Sequence, residues 1–116
     1  MRTKSMIAVF LAMSGSLLLM AQRTTEKRQS LLDNDRVTVR EVLIEPGIDY
    51  APHTHDLPHV GIIIKGGTLQ FTEKGKTDTV TFQDGSVGWR EAGVTHSIRN
   101  TGRATVRVIE VELKGR

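Results

Sequence analysis

From residue 36 onward, apolar and polar positions alternate in short runs. The stretch "RVTVREVLI" (36–44) alternates one for one, the period of a half-buried strand, and the Pro46-Gly47 pair ends it. "HVGIIIKGG" (59–67) is a β-branched run closed by paired glycines. "TLQFTEKGKTDTVTF" (68–82) reads as a hairpin: Leu69 and Phe71 share a face, Lys74-Gly75-Lys76 turns, and Val80 and Phe82 return. "DGSVGWREAG" (84–93) is a further turn and strand, and "THSIRNTGRATVRVIEVEL" (95–113) is two strands joined at Thr101-Gly102-Arg103. Short β-rich runs separated by turn residues every ~8–12 positions predict an all-β sandwich or barrel. No stretch after residue 35 holds a helical period.

The first 35 residues read differently. Residues 1–21 carry Arg2 and Lys4, then an apolar run from Met6 to Met20, then a small residue at Ala21. That layout predicts a bacterial signal peptide cleaved near Ala21 and a periplasmic or secreted protein. An uncleaved anchor and a buried helix are the alternatives. Ser14, Gly15 and Ser16 interrupt a run already short for a span of about 20 residues, so no stable membrane span is expected after cleavage. The chain has no cysteine, which excludes a lipoprotein anchor, disulfides and thiolate metal ligands. Residues 22–35 are polar without period and read as a linker, leaving a barrel over residues 36–113.

Charge changes the picture little. The net charge of +3 falls to +1 once Arg2 and Lys4 are set aside. No basic cluster with interleaved aromatics remains, so nucleic acid is not an expected partner. A domain this small buries little apolar surface and needs help. Val60, Ile62 and Ile64 form an apolar stripe opposite Gly61 and Ile63, so this strand should be covered on both faces. A second subunit, giving a homodimer, or the N-terminal segment would supply the cover.

The chemistry lies in the histidines. Three of the chain's four, His53, His55 and His59, fall within seven positions, and His96 opens the strand after the "EAGVT" turn. On a strand, His53 and His55 point to one face. After Asp56-Leu57-Pro58, His59 opens the next run and can return beside them. Converging imidazoles suit late first-row divalent metals. The expected arrangement takes three histidines from two adjacent strands and closes the site with His96 from across the barrel.

These segments resemble the two motifs of the cupin superfamily. The first reads Gly47, five residues, His53-Thr54-His55, three residues, His59, six residues, Gly66; the second reads Gly85, five residues, Glu91-Ala92-Gly93, two residues, His96, three residues, Asn100. The resemblance implies a double-stranded β-helix, the jelly-roll barrel, over roughly residues 36–113, and a metal (Fe, Mn, Ni, Cu or Zn) on His53, His55, His59 and His96. Two positions depart from the pattern: His59 stands where the motif has Glu, and Glu91 where it has Pro. The second departure leaves Gly93 to shape the turn.

Strand parity fills in the cavity. Gly61 and Ile63 follow His59 inward, and Ile98 and Asn100 follow His96, with turn capping as the alternative for Asn100. Val87 and Trp89 point in if Arg90 points out, and Leu69, Phe71, Val80 and Phe82 complete the wall. Trp89 has core packing as its other role. Tyr50 is a candidate proton donor at the mouth, with packing as the alternative. Glu91, Glu110 and Glu112 are read as outward, leaving no general base beside the metal. The expectation is an exported, metal-dependent oxygenase or oxidase-like cupin acting on a small oxygenated molecule. The alternative is a non-catalytic module that binds metal or a small ligand.

Overall fold

Nine strands, and no helix among the described residues, form two antiparallel sheets in the computed structural model, which describes residues 24–115. The expected signal segment, residues 1–21, lies outside the described residues. In chain order the strands are β1 (Lys27–Asp33), β2 (Val37–Ile44), β3 (His53–Thr54), β4 (His59–Lys65), β5 (Gly67–Glu73), β6 (Lys76–Phe82), β7 (Val87–Arg90), β8 (Thr95–Asn100) and β9 (Val106–Leu113). One sheet runs β1-β2-β9-β4-β7, the other β3-β8-β5-β6. The all-β expectation and the double-stranded β-helix architecture both hold.

The N-terminal segment corrects the linker reading. Residues 27–33 form β1, paired with β2 from Lys27 opposite Leu43 to Asp33 opposite Thr38. All seven β1 residues are exposed. An edge strand gains its stability from backbone pairing, and one that buries no whole residue writes no alternating pattern. Nor does β1 fold over the outer face of β4. It extends the sheet edge beyond β2.

The core lies between the sheets and gathers Val42, Ile44, Tyr50, Ile63, Leu69, Ile98, Val106 and Val108. Each fully buried aliphatic side chain among them contributes about 1.5–3 kcal/mol. β2 and β9 pair over their full length, Val37 opposite Leu113 to Ile44 opposite Val106. This puts Val42 and Ile44 on one face with Val108 and Val106, and two residues further along β9 the same face carries Glu110, 8% exposed. Glu110 therefore points inward, against expectation. The β9 sequence "VRVIEVEL" is apolar on both faces, so alternation alone cannot choose between them.

Two turns shape the barrel. Lys74 and Gly75 both adopt positive φ (50° and 76°), as a two-residue hairpin turn requires. Gly66 carries the chain from β4 into the other sheet, and a Cβ there would sit 2.1 Å from the Phe82 carbonyl oxygen. Asn100 is fully buried and takes the capping role: its Nδ2 donates to the Ile44 and Ala104 carbonyls, and its Oδ1 accepts from the Gly102 N–H.

Candidate metal centre

β3 is two residues long, but its pairing with β8 sets His53 directly opposite His96 and Thr54 opposite Thr95. Just beyond, the His55 N–H donates to Val94 O (2.9 Å), and the Gly93 N–H donates to His55 O (2.6 Å). Gly93 makes this turn at φ +86°, a value glycine adopts without steric cost. Three imidazoles are thereby delivered to one point. Their Nε2 atoms form a near-equilateral triangle with sides of 2.9, 3.1 and 3.1 Å for His53–His55, His55–His96 and His96–His53.

This arrangement reverses the expected roles of two histidines. His96 is the adjacent-strand neighbour of His53, whereas His59 opens β4 in the opposite sheet. The Asp56–Pro58 connection carries the chain from one sheet to the other rather than back along the same one. His59 stacks obliquely on His55, ring centroids 4.4 Å apart. The ligand atoms fall into two sets sharing His55: His53, His55 and His96, and His55, His59 and Glu110.

The triangle fits a divalent transition metal. A neutral imidazole carries one N–H, so three Nε2 atoms this close cannot satisfy one another's lone pairs. A triangle with edges near 3.0 Å is also what three mutually perpendicular metal–nitrogen bonds of about 2.1 Å produce. Burial keeps the rings neutral: it is the main cause holding His96 down at about 3, with the neighbouring histidines adding to it. Burial and then the charge of His59 lower His55 to about 4. Burial followed by Arg28 lowers His53, and burial lowers His59 against the opposing pull of Glu110.

Behind the triangle stands a carboxylate missed by sequence reasoning. Glu26, 4% exposed, places Oε1 3.5 Å from His53 Nδ1. Both atoms are buried without a hydrogen-bond partner. An imidazole that donates Nδ1–H to a carboxylate presents its Nε2 lone pair to a metal, the usual outer-shell arrangement. Arg28, two residues on, pairs with Glu110 (3.0 Å) and lies 3.9 Å from Glu26. It also lies 3.4 Å from His53 Nε2. Arg40 pairs with Glu112.

Two hollows flank the histidines. A cavity of about 270 Å³, partly open to solvent, is bordered by His55, His59 and His96 and by all five expected lining residues, Gly61, Ile63, Phe71, Trp89 and Ile98. Leu69, Val80 and Phe82 border it too. An outer cleft of about 330 Å³ reaches His53 and His55 past Asp56 and Leu57. Parity on β7 is the opposite of the expected one. Register sets Arg90 opposite His59, on the inward face, and sets Trp89 opposite Val60 and Val87 opposite Ile62 on the outer face. Val87 and Trp89 are 66% and 49% exposed, and Trp89 Nε1 donates to Glu91 (2.7 Å). Trp89 borders the cavity only by its place between Gly88 and Arg90.

Tyr50 does not reach the site. It is 2% exposed in the core, its hydroxyl accepts from the Glu45 N–H (2.8 Å), and it borders neither hollow beside the histidines. The loop from Glu45 to Ala51 folds the ring inward, so a proton-donor role at the mouth is not available to it.

Two sheets closed over a histidine-lined cavity define a double-stranded β-helix with a candidate metal centre. The chain belongs to the cupin domain family, whose model matches residues 40–112. It is similar to a cupin domain from Bordetella pertussis Tohama I at 26% identity, over 81% of this chain and 98% of that one, with a TM-score of 0.74. An RmlC-like cupin with a double-stranded β-helix fold from Methanocaldococcus jannaschii shares 18% identity over 78% of this chain and 81% of that one (TM-score 0.64). A conserved double-stranded β-helix protein from Klebsiella pneumoniae shares 18% identity over 82% of each chain (TM-score 0.64). The latter two speak to the fold alone. No curated protein matches the chain.

Proposed function

We propose that this cupin holds one divalent transition metal (Fe, Mn, Ni, Cu or Zn) on Nε2 of His53, His55 and His96. A small oxygenated organic molecule would meet it from the adjoining cavity, in the manner of a metal-dependent oxygenase or oxidase. The observation that carries this reading is the Nε2 triangle of 2.9–3.1 Å, reached by hollows on two sides. When bound, such a metal supplies Lewis-acid or redox chemistry toward an oxygen-bearing ligand. The chain's own residues would orient and enclose: Glu26 stands behind the His53 ring as the acceptor its Nδ1–H would use, and Ile63, Phe71 and Ile98 form the apolar wall of the cavity.

A non-catalytic ligand- or metal-binding role is favoured by one fact. Glu110, the one carboxylate bordering the internal cavity, is engaged by Arg28 and is not a free base. Elemental analysis with electron paramagnetic resonance separates the two. Stoichiometric redox-active metal whose spectrum shifts on adding small oxygenated ligands supports the enzyme. Zinc with no exchangeable position supports the binding module, and no metal after reconstitution overturns the metal centre and leaves the small-ligand-binding role.

Two further readings belong to the same proposal. The basic start and apolar run of residues 1–21 support export, with the working protein periplasmic or secreted. N-terminal sequencing of the native protein would then begin near Gln22, and an intact Met1 in the cytoplasm would overturn it. The outer face bearing Val60, Ile62, Val87 and Trp89 supports a homodimer. Trp89→Glu should yield monomers by light scattering, and a monomeric wild type would sink the idea.

A further inference from the structure

We infer that Arg90 makes the internal cavity a site for a small monocarboxylate, its carboxylate on the guanidinium and its apolar remainder against Ile63, Phe71 and Ile98. The inference deepens the proposed function and depends on it only for a metal beside the ligand. Register places Arg90 opposite His59 on the inward face, and the residue borders the cavity. Its Cζ lies over the Phe71 ring, 4.7 Å from the centroid. Phe71 in turn lies 5.6 Å, centroid to centroid, from His96. The guanidinium is thus held at the cavity wall, next to the histidines.

What sets Arg90 apart is that nothing answers its charge. The other cations near the site are committed: Arg28 to Glu110 and Glu26, and Arg40 to Glu112. Among the described residues no ion pair includes Arg90. Arg90 is half-buried, and a guanidinium beside mostly apolar walls is better served by a carboxylate than by the little water that reaches it. The planar fork of arginine matches a carboxylate through two parallel hydrogen bonds. A neutral isostere would leave it unpaired. Glu110 does not repel such an anion strongly, because Arg28 offsets its charge 3.0 Å away.

Size narrows the class. A cavity of about 270 Å³, set against about 30 Å³ for a water in the liquid, holds roughly nine water-sized groups. The fitting ligand is a monocarboxylic acid of about ten or fewer non-hydrogen atoms.

The test uses the purified chain stripped of metal with a chelator, so that no response arises from metal coordination. Benzoate and butyrate are titrated against benzamide and butyramide by ¹H–¹⁵N chemical-shift perturbation. Each acid should bind at least about tenfold more tightly than its amide, a charge-assisted pair being the difference. Arg90→Gln should erase the preference, and Arg90→Lys, which keeps the charge without the fork, should restore part of it. Equal binding of acid and amide, no binding by either acid, or a preference that survives in Arg90→Gln overturns the inference. The wild-type comparison stands even if a variant misfolds. Zinc titration of the same sample separates this idea from the metal reading. Carboxylate preference without zinc binding leaves Arg90 standing and removes the metal centre; zinc binding without the preference does the opposite.

Discussion

The two sets of ligand atoms that share His55 differ in what already engages them. In the first, His53, His55 and His96 turn three Nε2 atoms on one another, and Arg28 lies 3.4 Å from one of them, His53 Nε2. In the second, His55 and His59 face Glu110, whose carboxylate Arg28 engages. An acid held by a guanidinium shares its charge with that partner, and a metal placed on its other oxygen would bring a second cation beside Arg28. The first set asks only that three weakly solvated lone pairs find a cation. Donor type alone would favour the second set, which includes a carboxylate. Prior commitment reverses that preference.

Substitutions can break this comparison. His55→Ala removes the shared ligand and should cost the largest effect, more than about a hundredfold in zinc or cobalt affinity, above the range for outer-shell changes. His96→Ala should match it. His59→Ala should cost less than about tenfold, since its ring lies outside the triangle. Isothermal titration of the three variants reads the difference directly. If His59→Ala proves as damaging as His96→Ala, metal lies in the second set or spans both.

Glu26→Ala comes next, with an expected loss of about 10–100-fold in metal affinity. Glu26→Gln, which can still accept from His53 Nδ1–H, should recover part of it. An unchanged ¹⁵N tautomer pattern for His53 in Glu26→Ala would show that the carboxylate does not orient the ring. Smaller again is Arg28→Met, which frees Glu110. It should shift metal toward the second set, seen as a larger loss of zinc affinity on adding His59→Ala to Arg28→Met than on adding it to the wild type. An equal loss in both backgrounds would mean that Arg28 is not what keeps Glu110 from ligating.

The fold and the four histidines were legible because both write strong local patterns. Alternation in residues 36–44 and the turn at Lys74-Gly75 reflect backbone geometry that few other residues satisfy. The second tier of the site was not legible, for three physical reasons. Arg28 comes from an edge strand whose residues are exposed as a set, so no periodicity marks it, and Glu26 lies buried just before that strand, outside any pattern. Glu110 sits on a strand apolar on both faces. Its inward direction follows only once Val106 and Val108 are known to be core. Arg90 was misplaced by the assumption that a charged residue faces solvent, which turned Val87 and Trp89 inward. On a four-residue strand at the sheet edge that assumption fails, and pairing with His59 decides instead. The swap of His59 and His96 has a different source: spacing shows which residues can converge, not which sheet each belongs to.

The smallest expected effect is a near absence of change with pH. Free imidazoles titrating near 6.5 would take up protons between pH 7 and 5, and three of them would cost a metal site about four orders of magnitude over that interval. In the triangle burial holds His55 at about 4 and His96 at about 3, and lowers His53 as well. His55 and His96 stay neutral at pH 5, so zinc affinity there should fall by far less than free imidazoles would allow. A steep loss near pH 6 would mean that the rings titrate normally and are not enclosed as described. The stability of the metal-free protein should depend on pH more strongly. Its histidines are depressed in the folded chain but ordinary in the unfolded one, so below about pH 6.5 the unfolded chain binds protons that the folded chain refuses. Stability is therefore full above that pH and declines as pH falls toward about 3, where His96 takes its own proton and the slope flattens. His96→Gln keeps a polar side chain but removes a titrating ring, so chemical denaturation at pH 7 and pH 4.5 should show a shallower decline than in the wild type. An identical decline would assign the acid sensitivity to groups elsewhere, and would leave the triangle without the burial that makes its nitrogens available.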